Sequence, residues 1–193
     1  MKNFIKKYIQ NLTDILQNID ENSIISIKNA LEETINKQSK IYIIGNGGSA
    51  STASHMANDL SIGLKTRGIK NFDIESLNDN SSICTAIAND IGYENIFYLQ
   101  LKNRLKENDL LIAISCSGNS PNIIKAVSYA KDINCKVLGI TGFDGGNLKE
   151  LSDINFHVQT SRGQYGLVED VHLILDHIIF SYYVETYNKK SLN

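Results

Sequence analysis

An apolar run, Ile41-Tyr42-Ile43-Ile44, breaks into Gly45-Asn46-Gly47-Gly48-Ser49-Ala50. The same design returns at Leu110-Leu111-Ile112-Ala113-Ile114, followed by Ser115-Cys116-Ser117-Gly118-Asn119-Ser120 and then Pro121. Each unit reads as strand, loop of small residues, helix. An apolar run without alternation fits a strand buried on both faces, as in a parallel sheet. A loop of Gly and Ser lets backbone amides approach an anion. The helix behind it adds free N–H groups and the positive end of its dipole. Two such loops at the carboxyl ends of strands point to a phosphorylated ligand held between them.

The rest of the chain alternates in the same rhythm. Phe4, Ile5, Tyr8, Ile9, Leu12, Ile15, Leu16 and Ile19 fall at helical spacing. Ile24, Ile27, Ala30, Leu31 and Ile35 repeat the pattern in a second helix, with Ser23 as its expected N-cap. Strands are predicted near residues 40–45, 72–76, 110–114, 136–140 and 154–158. Helices are predicted near 50–64, 80–88, 95–105, 121–131 and 147–151, and a long terminal helix over about 168–187. Alternation of this kind predicts an α/β fold, with a five-stranded parallel sheet between helical layers. A chain of 193 residues with one proline and no linker-like stretch reads as a single domain.

Composition narrows the partners. A net charge of −2 gives no general attraction to nucleic acid or anionic lipid, so a small polar ligand is expected instead. Apolar runs are strand-sized, which predicts no membrane span. Cys84, Cys116 and Cys135 are odd in number with no CxxC spacing, and Met1-Lys2-Asn3-Phe4-Ile5-Lys6-Lys7 does not open a signal-like segment. Reduced thiols in a cytoplasmic protein are the expectation.

Each motif has a structural alternative. The glycines of the first loop could make a simple tight turn, and Ala50 stands where a G-x-G-x-x-G fingerprint needs its last glycine. The second loop is less easily dismissed. Ser120-Pro121 suffices as an N-cap/N1 pair, leaving the hydroxyls of Ser115 and Ser117 over for a ligand. His55 and Asp59 lie four apart on the helix after the first loop, hence on one face. His172 and His177 lie on the terminal helix with Glu169, Asp170 and Asp176. Such acids usually form a solvated face. Acids that accompany histidines on two helices also suit general acid–base chemistry or metal ligation.

Several motifs occur in order: Gly45-Asn46-Gly47-Gly48-Ser49-Ala50 with His55 and Asp59, Thr85-Ala86-Ile87-Ala88-Asn89-Asp90, Ser115-Cys116-Ser117-Gly118-Asn119-Ser120, Leu138-Gly139-Ile140-Thr141-Gly142 with Asp144-Gly145-Gly146, and Glu169-Asp170-Val171-His172 with His177. Together they resemble the phosphoheptose isomerases, a branch of the sugar isomerase (SIS) domain proteins, over about residues 5–185. The resemblance implies a flavodoxin-like α/β/α sandwich. It implies interconversion of sedoheptulose 7-phosphate and a D-glycero-heptose 7-phosphate for surface polysaccharides (lipopolysaccharide or capsule). It also implies a homotetramer with composite sites, the first 37 residues packing between subunits. Ser115, Cys116, Ser117 and Ser120 would hold the phosphate end, and Asn46, Gly47, Gly48 and Ser49 would line the sugar. Asn89 and Asp90 would contact the substrate. Zinc would be held by His55, Asp59, Glu169 and His177, with no nucleotide or redox cofactor.

Two of these positions depart from the family pattern, which commonly has Glu for Asp59 and Gln for Glu169. Two carboxylates in one pocket repel unless a cation or a shared proton intervenes. With a divalent ion and two neutral histidines such a site is formally neutral. The chemistry the resemblance implies is aldose–ketose isomerisation through a cis-enediol, with Asp59 or Glu169 as base and His177 as acid partner. Isomerisation of another sugar phosphate, or a non-catalytic SIS sensor or adaptor, are the alternative readings.

Overall fold

The computed structural model describes residues 1–190. Two helices of 16 residues each, α1 (Lys2–Gln17) and α2 (Glu21–Asn36), precede β1 (Ile41–Gly45), which leads into α3 (Gly48–Asn58). Then follow β2 (Ile74–Ser76), α4 (Ser81–Asp90), a short α5 (Tyr98–Leu101), β3 (Leu110–Ser115), α6 (Pro121–Asp132), β4 (Lys136–Phe143), α7 (Gly146–Leu151), β5 (Ile154–Gln159) and α8 (Tyr165–Lys190). The five strands are all parallel, in the order β2-β1-β3-β4-β5.

The side chains of β1 and β3 alternate between two cores. Ile41, Ile43, Leu110, Ile112 and Ile114 pack under α2, α3 and α8, with Leu12, Ile15 and Leu16 of α1 against the same cluster. Tyr42, Ile44, Leu111 and Ala113 pack under α5, α6 and α7, with Ile87 and Ala88 of α4 alongside. Every residue of β1 and β3 is buried, which accounts for their unbroken apolar runs. The result is a flavodoxin-like α/β/α sandwich. In this strand order the crevice for ligands opens where the winding reverses, between β1 and β3. The two small-residue loops follow those two strands.

Several expectations shift in detail. The N-cap of α2 is Asp20, not Ser23: the Asp20 carboxylate accepts from Asn22 N at 3.0 Å, and the Ser23 hydroxyl bonds back to Asp20 O. The helix predicted over 95–105 breaks into a 3₁₀ turn (Tyr93–Asn95), α5 and a turn in which Asn103 adopts φ 64°. Phe97, Leu101 and Leu105 plug the second core there, and their burial outweighs helical continuity. Strand β4 runs on to Phe143 because Thr141, Gly142 and Phe143 keep pairing with β5. Gly142 also lets α8 come close, since a methyl group on it would lie 2.5 Å from Val168 Cγ1.

Candidate active site

The second loop is a compact turn at the start of α6. Ser115 Oγ accepts from Gly118 N at 3.1 Å, and Ser117 Oγ accepts from Asn119 N at 3.3 Å. Ser120 occupies the N-cap position, but its side chain makes no capping bond; its hydroxyl lies 3.5 Å from Ser115 Oγ. The expected capping role of Ser120 is therefore corrected, and its hydroxyl is left for other partners. Gly118, at φ 63°, allows the loop to press on the Asp144-Gly145-Gly146 turn, where a methyl group would stand 1.9 Å from Gly145 O. Leu148 N donates to Gly118 O across that contact.

The first loop is tied to the second. Asn46 and Asn122 exchange two amide hydrogen bonds of 2.8 Å, and Tyr93 OH donates to Asn46 Oδ1 at 2.9 Å. Most of the Asn46 amide is thus engaged within the protein. Asn122 is only 1% exposed and was not singled out by the motifs; a polar residue directly after Ser-Pro was the available signal. Gly47 takes φ 55° and starts α3, Gly48 is its first residue, and Ser49 is buried behind it. Asn89 and Asp90 are exposed at the end of α4 and bond to each other at 2.7 Å.

Helices α3 and α8 run side by side and meet at two levels. At the loop end, Glu169 lies against the α3 N-terminus: a methyl group on Gly48 would be 2.5 Å from Glu169 Oε1. Cys116 Sγ stands 3.9 Å from the same oxygen. Burial, and then the Glu169 charge, push the Cys116 thiol up to about 11, so it stays protonated. Seven residues on along each helix, about 10 Å of rise, lies a second group. His55, Asp59, Asp176 and His177 place their ligand atoms within 4.8 Å of one another. Asp59 begins a π-helical turn, Asp59–Gly63, a local widening that is common at functional sites.

The structure therefore brings three of the four expected metal positions together, with Asp176 beside them. His55, Asp59 and His177 converge; Glu169 does not join them, because two helical turns separate it from His177 on α8. Asp176 stands there instead. Its side chain is fully buried, and neither carboxylate oxygen has a hydrogen-bond partner. Burial, with Asp59 adding to it, pushes its carboxyl up to about 7. His55 Nε2 lies 3.2 Å from His177 Nε2, 3.5 Å from Asp59 Oδ2 and 3.8 Å from Asp176 Oδ2. Bonds of about 2.0–2.1 Å from one tetrahedral centre would separate ligands by about 3.4 Å. Two imidazole nitrogens and two carboxylates at that spacing fit a divalent cation.

Comparison with known proteins identifies the family. The SIS domain family model matches residues 7–142. The phosphoheptose isomerase of Aliarcobacter butzleri is 41% identical over 149 residues, covering 76% of each chain. The chain belongs to the phosphoheptose isomerase family. Another phosphoheptose isomerase, from Helicobacter pylori, is 44% identical over 147 residues, covering 76% of this chain and 75% of that one. The solved phosphoheptose isomerase of Neisseria gonorrhoeae superposes with a TM-score of 0.83 at 26% identity, over 95% of this chain and 96% of that one. Of the motifs that carry the resemblance, the two small-residue loops follow β1 and β3, and the two that bear histidines lie on α3 and α8. Among the described residues no helix is long and apolar enough to cross a membrane.

Proposed function

We propose that this aldose–ketose isomerase converts sedoheptulose 7-phosphate to a D-glycero-heptose 7-phosphate in the cytoplasm, supplying heptose for a surface polysaccharide. The observation that carries the reading is the placement of Glu169 between the two loops. The phosphate docks on the hydroxyls of Ser117 and Ser120 and the N-terminus of α6, with Ser115 and Cys116 behind them. Gly47, Gly48 and Ser49 line the sugar, Asn46 holds their loop in place, and Asn89 and Asp90 reach substrate across a subunit boundary in a homotetramer. Residues 1–37 pack at that boundary. Glu169 removes a proton from the carbon beside the carbonyl and returns it to the former carbonyl carbon, while the hydroxyl proton passes to the former carbonyl oxygen. A half-buried carboxylate that the Cys116 thiol approaches to 3.9 Å, and that makes no salt bridge among the described residues, suits this work. Asp59 and His177, read from sequence as candidate base and acid, hold a zinc ion together with His55. Bound there, the ion would supply Lewis-acid stabilisation of charge developing on the sugar oxygens. Anchoring at the phosphate fixes the reacting carbons relative to Glu169.

Purified protein incubated with sedoheptulose 7-phosphate in D₂O is expected to form an aldose phosphate and to exchange the transferred proton partly with solvent. Unphosphorylated sedoheptulose should react at least about 100-fold less efficiently, because the remote anchoring energy is lost. Conversion of hexose phosphates alone would shift the substrate class. No conversion of any sugar phosphate would leave a binding module.

A further inference from the structure

Asp176 has no assigned role in any motif, yet its situation is the least comfortable of any acid in the described chain. It stands on the buried stripe of α8 that Val168, Val171, His172, Leu175 and Ile179 also occupy. Burying a carboxylate without a hydrogen bond costs several kcal/mol unless a positive charge compensates. Among the described residues no Lys or Arg is paired with it; His55 lies 3.8 Å away, His177 stands within the same cluster, and Asp59 adds a second negative group. The two imidazoles that face it at Nε2 are themselves poorly matched. At most one Nε2 donates to the lone pair of the other, and neither then has a proton left for the Asp176 carboxylate. Four donor atoms, two of them carboxylate, converge with nothing of opposite sign among them.

We infer that Asp176 is a ligand of the divalent ion, completing a His₂Asp₂ set with His55, Asp59 and His177 and taking the place that the family pattern gives to position 169. His55 and Asp59 come from one helix and Asp176 and His177 from the other, so each helix supplies one nitrogen and one oxygen. The set carries two negative charges and neutralises a divalent cation. Its nitrogen and carboxylate donors suit zinc and its first-row neighbours. Glu169 is thereby released from ligation. The inference adopts the metal-holding role of His55 and His177 from the reading above, and it holds whichever sugar is turned over.

Metal binding, rather than turnover, tests it. Chelator-treated wild type, Asp176→Asn, Asp176→Leu and Glu169→Gln are titrated with Zn²⁺ by calorimetry and with Co²⁺ by visible absorption, and melted with and without metal. In wild type, Zn²⁺ should raise the melting temperature and Co²⁺ should give the intense bands of a tetrahedral site. Both Asp176 variants should bind at least about 100-fold more weakly, beyond the usual effect of an outer-sphere partner, and lose the tetrahedral spectrum. Their metal-free forms should melt no lower than wild type, since an uncompensated buried carboxylate has gone. Glu169→Gln should keep wild-type affinity and spectrum while losing turnover. The proposal fails if wild type binds neither ion or if the Asp176 variants keep its affinity. It fails equally if the metal-free Asp176 variants are destabilised with the metal-induced gain intact, or if Glu169→Gln weakens binding as much as they do. A Glu169→Gln enzyme that binds metal normally and stays active would overturn the assigned base alone.

Discussion

Gly48, which has no side chain, positions the carboxylate assigned to proton transfer. Gly48 is helical with ordinary φ, so alanine there favours the helix, yet its methyl would stand 2.5 Å from Glu169 Oε1. Gly48→Ala is expected to leave the melting temperature unchanged or higher and to lower kcat by about 10- to 100-fold, the size of effect that an ångström of misplacement produces. Unchanged kcat would take the chemistry away from Glu169. His172 offers a second test. Its Nε2–H donates to Thr141 O at 3.2 Å, its Nδ1 is buried without a partner, and burial lowers its pKa to about 4. The unfolded chain protonates near pH 6.5 and the folded one does not, so this contribution is complete above pH 6.5. It is lost as pH falls towards 4, by about 3 kcal/mol. Urea midpoints at pH 7, 5.5 and 4.5 should show that loss, and His172→Gln, which can still donate to Thr141, should flatten it. His55 and Asp59 were legible as a pair four apart on one helix face, whereas the choice of His177 over His172 came from the family resemblance. Asp176 was not legible, because an acid beside a histidine reads as part of a wet face; the missed signal was its place four residues after His172, on an apolar stripe.

At the scale of elements, the α6 N-terminus combines two kinds of residue that sequence does not separate. Ser120 sits at the cap position without capping, whereas Asn122, two residues on, binds the first loop through Asn46. Ser120→Ala should therefore raise KM several-fold with no measurable change in stability. Asn122→Ala should raise KM too and also cost about 1–3 kcal/mol, as it strands the buried side of an amide pair. Steady-state kinetics beside chemical denaturation distinguishes the two. The five strands and the terminal helix were readable because unbroken apolar runs and helical spacing leave few alternatives. The stretch between α4 and β3 was not: its apolar residues are spaced for core filling, and the left-handed Asn103 that ends α5 carries no sequence mark as strong as glycine. The meeting of α3 and α8 at two levels is likewise tertiary, set by how both helices lie on the sheet.

Across the whole molecule, several of the exposed apolar residues lie on the first two helices and the last. Phe4, Ile5 and Ile9 on α1, Ile25 on α2, and Ile178 and Tyr182 on α8 are each at least 40% exposed. Ile24, Ile25, Ile178, Ile179 and Tyr182 line one groove between α2 and α8. In the proposed assembly this groove is covered by another subunit. Ile25→Glu combined with Ile178→Glu should shift sedimentation from tetramer towards smaller species and lower activity with it, while each released subunit keeps its helical signal. An unchanged sedimentation coefficient would place the interface elsewhere. The α3/α8 seam also has a history as well as a shape. His55 and His177 are 122 positions apart in the chain, and nothing synthesised before α8 can hold an ion at their meeting point. In the proposed metal site, one pair of ligands comes from α3 and the other from α8, so an ion can be held there only once the last helix has docked on the rest of the fold.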